Sequence, residues 1–118
     1  FAAGAFDATI LYFVLHHCED QEAVLREAMR VTRGRVVVVE STYVHATDRR
    51  LLTVLDRLAN RLRSGGRMRP QEANLHFRTV PGWRAFFRDA GAHIEAERRV
   101  GRLVHRQAFF ALTRAEEV

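Results

Sequence analysis

FDATILYFVL, residues 6–15, is a predominantly apolar run rich in Ile, Val, Tyr and Phe. It predicts a strand buried on both faces of a parallel sheet. Asp20 follows as an N-cap candidate, with Glu22 in the first turn facing the positive helix end. Val24, Leu25, Ala28 and Met29 then recur at helical spacing, and Gly34 is expected to stop that helix. RVVVV, residues 35–39, is a second buried-strand candidate. Strand, three-turn helix, strand predicts a right-handed βαβ unit, with residues 7–15 and 35–40 as adjacent parallel strands.

Outward from this unit the pattern changes. Residues 48–63 predict an amphipathic helix with Leu51, Leu52, Leu55, Leu58, Ala59 and Leu62 as its apolar stripe. Arg49, Arg50, Arg57, Arg61 and Arg63 make up much of the rest, and Ser64-Gly65-Gly66 ends it. Residues 65–78 read as a mobile loop. Thr79 is an N-cap candidate with Pro81 in the first turn. Trp83, Phe86, Phe87 and Ala90 fall at i, i+3, i+4 and i+7, so that face must be buried, and Gly91 closes the helix. Residues 93–100 predict a strand with Ile94, Ala96 and Val100 on one face. Residues 107–113 predict another, and the short joint at Gly101 permits an antiparallel hairpin. The chain is therefore expected to be a single α/β domain in a three-layer arrangement, with an insert or cap at 44–78.

The length, 118 residues, suits one small domain, and 47% hydrophobic residues suffice for a packed core. No apolar run approaches the roughly 20 residues that span a bilayer. The lone cysteine, Cys18, excludes an internal disulfide and a four-cysteine zinc site, which fits a reducing cytoplasm. All 19 basic residues are Arg. Residues 1–40 hold 4 Arg against 6 acids and residues 41–118 hold 15 against 8, so the positive charge sits in the second half. A basic surface attracts acidic ligands or nucleic acid. The Arg are not interleaved with aromatics in a recognition motif, which argues against a nucleic-acid partner.

Three segments together resemble a known family. FAAGAFDATILYFVLHH is similar to the fourth strand and its approach in class I, Rossmann-like S-adenosylmethionine-dependent methyltransferases. LREAMRVTRGRVVVVE resembles the helix and fifth strand that follow there, and HFRTVPGWRAFFRDAGAHI the last helix. The resemblance implies the C-terminal half of that family's sheet: parallel strands, a terminal antiparallel hairpin and helices packed on the sheet. It implies methyl transfer from S-adenosylmethionine to a small-molecule acceptor, as part of a longer enzyme. The family's Gly-rich first turn, ribose-binding carboxylate and adenine-contacting acid have no counterpart here. Gly65-Gly66 follows a helix and is no substitute. The main donor-binding elements are thus absent, and the isolated chain is expected to bind donor weakly or not at all. The alternative is a noncatalytic remnant or partner subunit that associates through an exposed sheet edge.

Methyl transfer is an in-line displacement on an activated sulfonium, so alignment supplies much of the rate and a base serves only acceptors that lose a proton. By the resemblance, Tyr12 and Phe13 sit at the strand tip that passes the methionine end of the donor; otherwise both are core aromatics. His16 and His17 are candidates for proton transfer or for capping the strand end. Glu40, at the end of the next strand, is a candidate for orienting the acceptor or for pairing with an insert Arg. Arg69 and His76, with Arg67 and Arg78, are acceptor-binding candidates in the insert. No metal site is expected: His16, His17, His45 and His76 match no compact zinc spacing and lack an evident completing carboxylate.

Overall fold

The computed structural model describes residues 1–65, 76–102 and 106–116. Among the described residues, four strands form one sheet: β1 (Phe6–Tyr12), β2 (Thr32–Ser41), β3 (Ala92–Val100) and β4 (Gln107–Arg114). Their spatial order is β1-β2-β4-β3. β1 and β2 pair in parallel, with Leu11 opposite Val38 and Tyr12 opposite Val39. β4 runs antiparallel to both β2 and β3, so the expected hairpin is present. Three α-helices of the described residues accompany the sheet: α1 (Gln21–Val31), α2 (Ala46–Arg63) and α3 (Val80–Asp89). No helix among the described residues is long and apolar enough to cross a membrane.

The core decides the layering. Val36 and Val38 of β2 lie opposite Leu112 and Phe110 of β4, and these four are buried on one face. Leu25, Ala28 and Met29 of α1 join the same cluster, as do Trp83, Phe87 and Ala90 of α3. Both helices therefore cover a single face, and the described residues form two layers where three were expected. The reason is connectivity: both helices return the chain to a growing sheet by crossovers of one hand, which place them on one side.

Local chemistry explains the ends. Asp20 accepts a bond from the Ala23 amide and Thr79 from the Gly82 amide, as expected of N-caps. Gly91, at φ 82°, takes the left-handed turn after α3 that a side chain would strain. Gly34 plays another part than helix stop, because α1 ends at Val31 and β2 begins at Thr32. The β1–β2 register slips there, and a Cβ on Gly34 would stand 2.2 Å from the Asp7 carbonyl oxygen. Gly34 is a close-approach glycine inside a strand irregularity. A second slip, between Ile94 and Ala96, reverses the β3 alternation. Ala92 and Ile94 therefore face the core while Ala96 and Val100 are exposed, contrary to the single face expected.

Two further expectations are corrected. The first strand stops at Tyr12, because Phe13 adopts φ 52° and Leu15–His17 coil into a 3-10 turn. It is also not buried on both faces. β1 is a sheet edge, with Ile10 65% and Tyr12 63% exposed on the face away from α1 and α3.

Candidate active site

The carboxyl ends of β1 and β2 lie side by side, and the residues just beyond them converge. At Phe13 the backbone turns left-handed while its amide still donates to the Val39 carbonyl at 2.9 Å. That turn directs the next residues over the end of β2. The 3-10 turn brings His16 onto Glu40, the last buried residue of the helix-covered face of β2. Nδ1 of His16 lies 2.7 Å from Glu40 Oε2, and the His16 backbone amide donates to Oε1 at 3.3 Å. Neither residue sees solvent: Glu40 is 0% and His16 2% exposed. Among the described residues Glu40 pairs with this histidine and not with an Arg of the insert, one of the two roles considered for it.

α2 supplies the third group. His45 caps its start through a capping box with Asp48. Leu52 packs with Phe77 and Tyr43 in a small satellite cluster. One turn on, at i+4, Asp56 reaches the strand tips. Its Oδ1 lies 3.3 Å from His16 Nε2 and its Oδ2 3.7 Å from His17 Nε2. Asn60, another turn on, donates to Oδ2 at 2.8 Å. Phe77 stacks on the His16 ring with centroids 4.7 Å apart. The rest of the α2 stripe is uncovered: Leu51, Leu55, Leu58, Ala59 and Leu62 are exposed, as is Val54 beside it.

The segment after the insert is tied to the same place. The His76 amide donates to the His16 carbonyl at 2.7 Å. Buried Gln21 donates to the Leu15 and His76 carbonyls. Arg78 in turn donates to Gln21 Oε1 and lies 4.6 Å from the Phe86 ring centroid. Its guanidinium is committed to the fold, unlike the acceptor-binding role considered for it. Arg67 and Arg69 lie outside the described residues.

Electrostatics separate the two imidazoles. Burial pulls the pKa of His16 down, but the hydrogen bond and charge of Glu40, with Asp56, outweigh it and hold it above its ordinary value. His17 is held below its ordinary value by burial and by its neighbour His16. The side chain of His17 is 38% exposed, so it is the accessible member of the pair. Burial, with the Glu40 charge, pushes the Cys18 thiol up, which leaves it a poor nucleophile.

The structure thus joins His16, His17 and Glu40, with His76 beside them through its backbone. Tyr12 is exposed at the same tip and is no core aromatic. Asp56 and Gln21 escaped the sequence reading. Asp56 had a signal: it is the one carboxylate among the arginines of residues 49–63, four residues after the buried Leu52. Beside the tips of β2 and β3 lies a cavity of about 540 Å³, bordered by Tyr43, Val44, Pro81 and Arg99. A larger concavity lies at the opposite end of β1 and β2, around Gly4, Asp7 and Arg33, far from these groups.

Comparison with known proteins points the same way. Residues 1–39 match the family described as methyltransferase domain. A comparison with curated proteins gives no match. Among solved structures, the fold is similar to that in a complex between the Haloferax volcanii Trm112 methyltransferase activator and a methyltransferase. There the TM-score is 0.67 at 11% identity, over 100% of this chain and 57% of the other. It is similar to magnesium protoporphyrin IX methyltransferase from Synechocystis with bound SAH, with TM-score 0.58 and 16% identity, over 95% and 46%. It is also similar to an enzyme described as a pericyclic reaction enzyme, with TM-score 0.65 and 15% identity, over 92% and 26%. The chain carries the class I methyltransferase fold and spans about half the length of the first two of these structures.

Proposed function

We propose that this chain is the C-terminal half of an S-adenosylmethionine-dependent methyltransferase acting on a small-molecule acceptor. The observation that carries the reading is the His16–His17–Glu40–Asp56 cluster at the carboxyl tips of β1 and β2. In open α/β sheets, ligands bind beyond those ends. A fold alone does not fix a reaction, as the pericyclic enzyme of similar fold illustrates. The site has to carry the assignment.

The donor's methionine end is assigned to the β1 tip, along Tyr12 and Phe13. The backbone turns left-handed there, at Phe13, just beyond the end of the strand. His17 is the proton acceptor: it is accessible, and its depressed pKa keeps it neutral near pH 7. Glu40 and His16 are buried, so they hold that turn in place and steady the charge that forms beside it. The described part of the cap, α2, closes over the tips with His76 toward the acceptor, and Arg69, outside the described residues, stays an acceptor-binding candidate. Attachment of α2 through Leu52 and Asp56, with most of its stripe free, suits a lid.

The position of β1 at the sheet edge supports the proposal that further strands of the same sheet pair with it, complete the domain and bring the remaining donor contacts. The second reading, a noncatalytic partner subunit associating through that edge, rests on the same observation. The test is methyl transfer by the intact protein from labelled donor to a panel of small phenols, amines and carboxylic acids. Transfer that falls about 10²–10⁴-fold in His17→Ala, with donor affinity unchanged, supports the enzyme. Absence of both transfer and donor binding supports the partner subunit.

A further inference from the structure

We infer that His16, His17 and Asp56 form a binding site for one divalent transition-metal cation of the zinc type, with Glu40 as the outer carboxylate. Glu40 accepts a bond from His16 Nδ1 at 2.7 Å, which leaves the Nε2 lone pair directed at Asp56. A lone pair and a carboxylate oxygen 3.3 Å apart repel unless a positive charge sits between them. A proton on His16 would serve that pair alone. It leaves His17 Nε2 at 3.7 Å from Asp56 Oδ2, beyond a good hydrogen bond. A tetrahedral cation with bonds of about 2.0–2.1 Å sets its ligand atoms about 3.3 Å apart, the spacing of His16 Nε2 and Asp56 Oδ1, and binding would draw His17 Nε2 inward to complete the set. One donor atom from each of the three residues falls within 4.8 Å of the others.

The supports are those such a site needs. A carboxylate on the far nitrogen fixes tautomer and ring direction in metal-bound histidine, and Glu40 stands there, fully buried. Phe77 clamps the His16 ring and Asn60 holds Asp56. The remaining side is open at His17, which leaves room for a water or an acceptor oxygen. Two imidazoles and one carboxylate select zinc, iron or cobalt over magnesium or calcium. The ligands come from the β1 tip and from α2, so the cation would pin the cap to the sheet. With it bound, His17 has no free lone pair, and the proton-accepting role proposed above belongs to the metal-free protein. Metal binding is read from geometry alone and stands or falls apart from methyl transfer.

The experiment is titration of chelator-stripped full chain with Co²⁺, followed by its visible d–d absorption, then displacement by Zn²⁺. One equivalent should give four- or five-coordinate bands that Zn²⁺ abolishes. Asp56→Asn and His17→Ala should each weaken binding at least 10-fold, and Glu40→Gln about 10–100-fold through loss of His16 orientation. His93→Ala, on β3 away from the cluster, should leave it unchanged. His17 is half-exposed, so its variant keeps the fold, which circular dichroism verifies. Absence of d–d bands, or binding equal in Asp56→Asn, His17→Ala and the parent, overturns the site.

Discussion

Glu40 offers the sharpest perturbation of the cluster. Its carboxylate is fully buried and accepts two bonds from His16, one from the ring and one from the backbone amide. Glu40→Gln keeps the size and one acceptor oxygen but loses the charge. It exchanges a charge-assisted bond of about 1.5–3 kcal/mol for a neutral one of about 0.5–1.5, a loss of roughly 1–2 kcal/mol. Glu40→Ala removes both bonds, opens a cavity and strands the His16 amide and imidazole away from water. Removing one partner of a buried pair costs about 3–5 kcal/mol. Asp56 still faces His16, but at 3.3 Å and partly exposed it restores only part of that. The assay is urea unfolding of the intact protein at pH 6 in chelator, comparing midpoints at constant slope. The expected order is parent, Gln, Ala, with the Ala variant at least about 1 kcal/mol below the Gln variant by these ranges. Equal stability of the two variants within about 0.5 kcal/mol would show that the pair does not hold the turn.

Three other outcomes are expected. The His16 pKa is raised from 6.5, so its pairing with Glu40 and Asp56 stabilises fully below pH 6.5 and fades as pH rises through the folded value. In chelator, the destabilisation by Glu40→Gln should therefore shrink between pH 6 and 9, against the companion titration of His17, and a pH-independent difference would contradict this. Gly34→Ala should cost about 1–3 kcal/mol or more in thermal unfolding, because the new Cβ meets the Asp7 carbonyl and the strands must part. Trp83 is 0% exposed and its Nε1 has no partner among the described residues. Trp83→Ala should cost about 3–5 kcal/mol, while Trp83→Phe, which removes that unpaired donor, should cost clearly less in the same assay.

The α/β order, the parallel β1–β2 pair, both N-caps at Asp20 and Thr79, and the Trp83–Phe87 face were legible because each rests on local periodicity or capping chemistry. The Glu95 bulge and the Gly34 slip were not, since both arise from pairing with a distant strand. Burial of β1 misled for a related reason: an apolar run states that a face wants cover, not which element provides it. His16, His17 and Glu40 could be named from their places at two strand ends. Their geometry could not, because Asp56 arrives from a helix forty residues later in the chain than His16, anchored by the packing of Leu52 with Phe77 and Tyr43. Asp56, the carboxylate that lies beside the two histidines, stands inside a helix read by its leucines and arginines.

In the function proposed above, donor and acceptor meet at the tips of β1 and β2 beneath α2. A crystal structure of the intact protein with S-adenosylhomocysteine is the decisive measurement. The sulfur should lie beside the Tyr12–Phe13 backbone, its open side toward His17 and α2. Ligand bound elsewhere, as in the concavity around Gly4, Asp7 and Arg33, or a saturated crystal with no ligand at the strand tips, would contradict it.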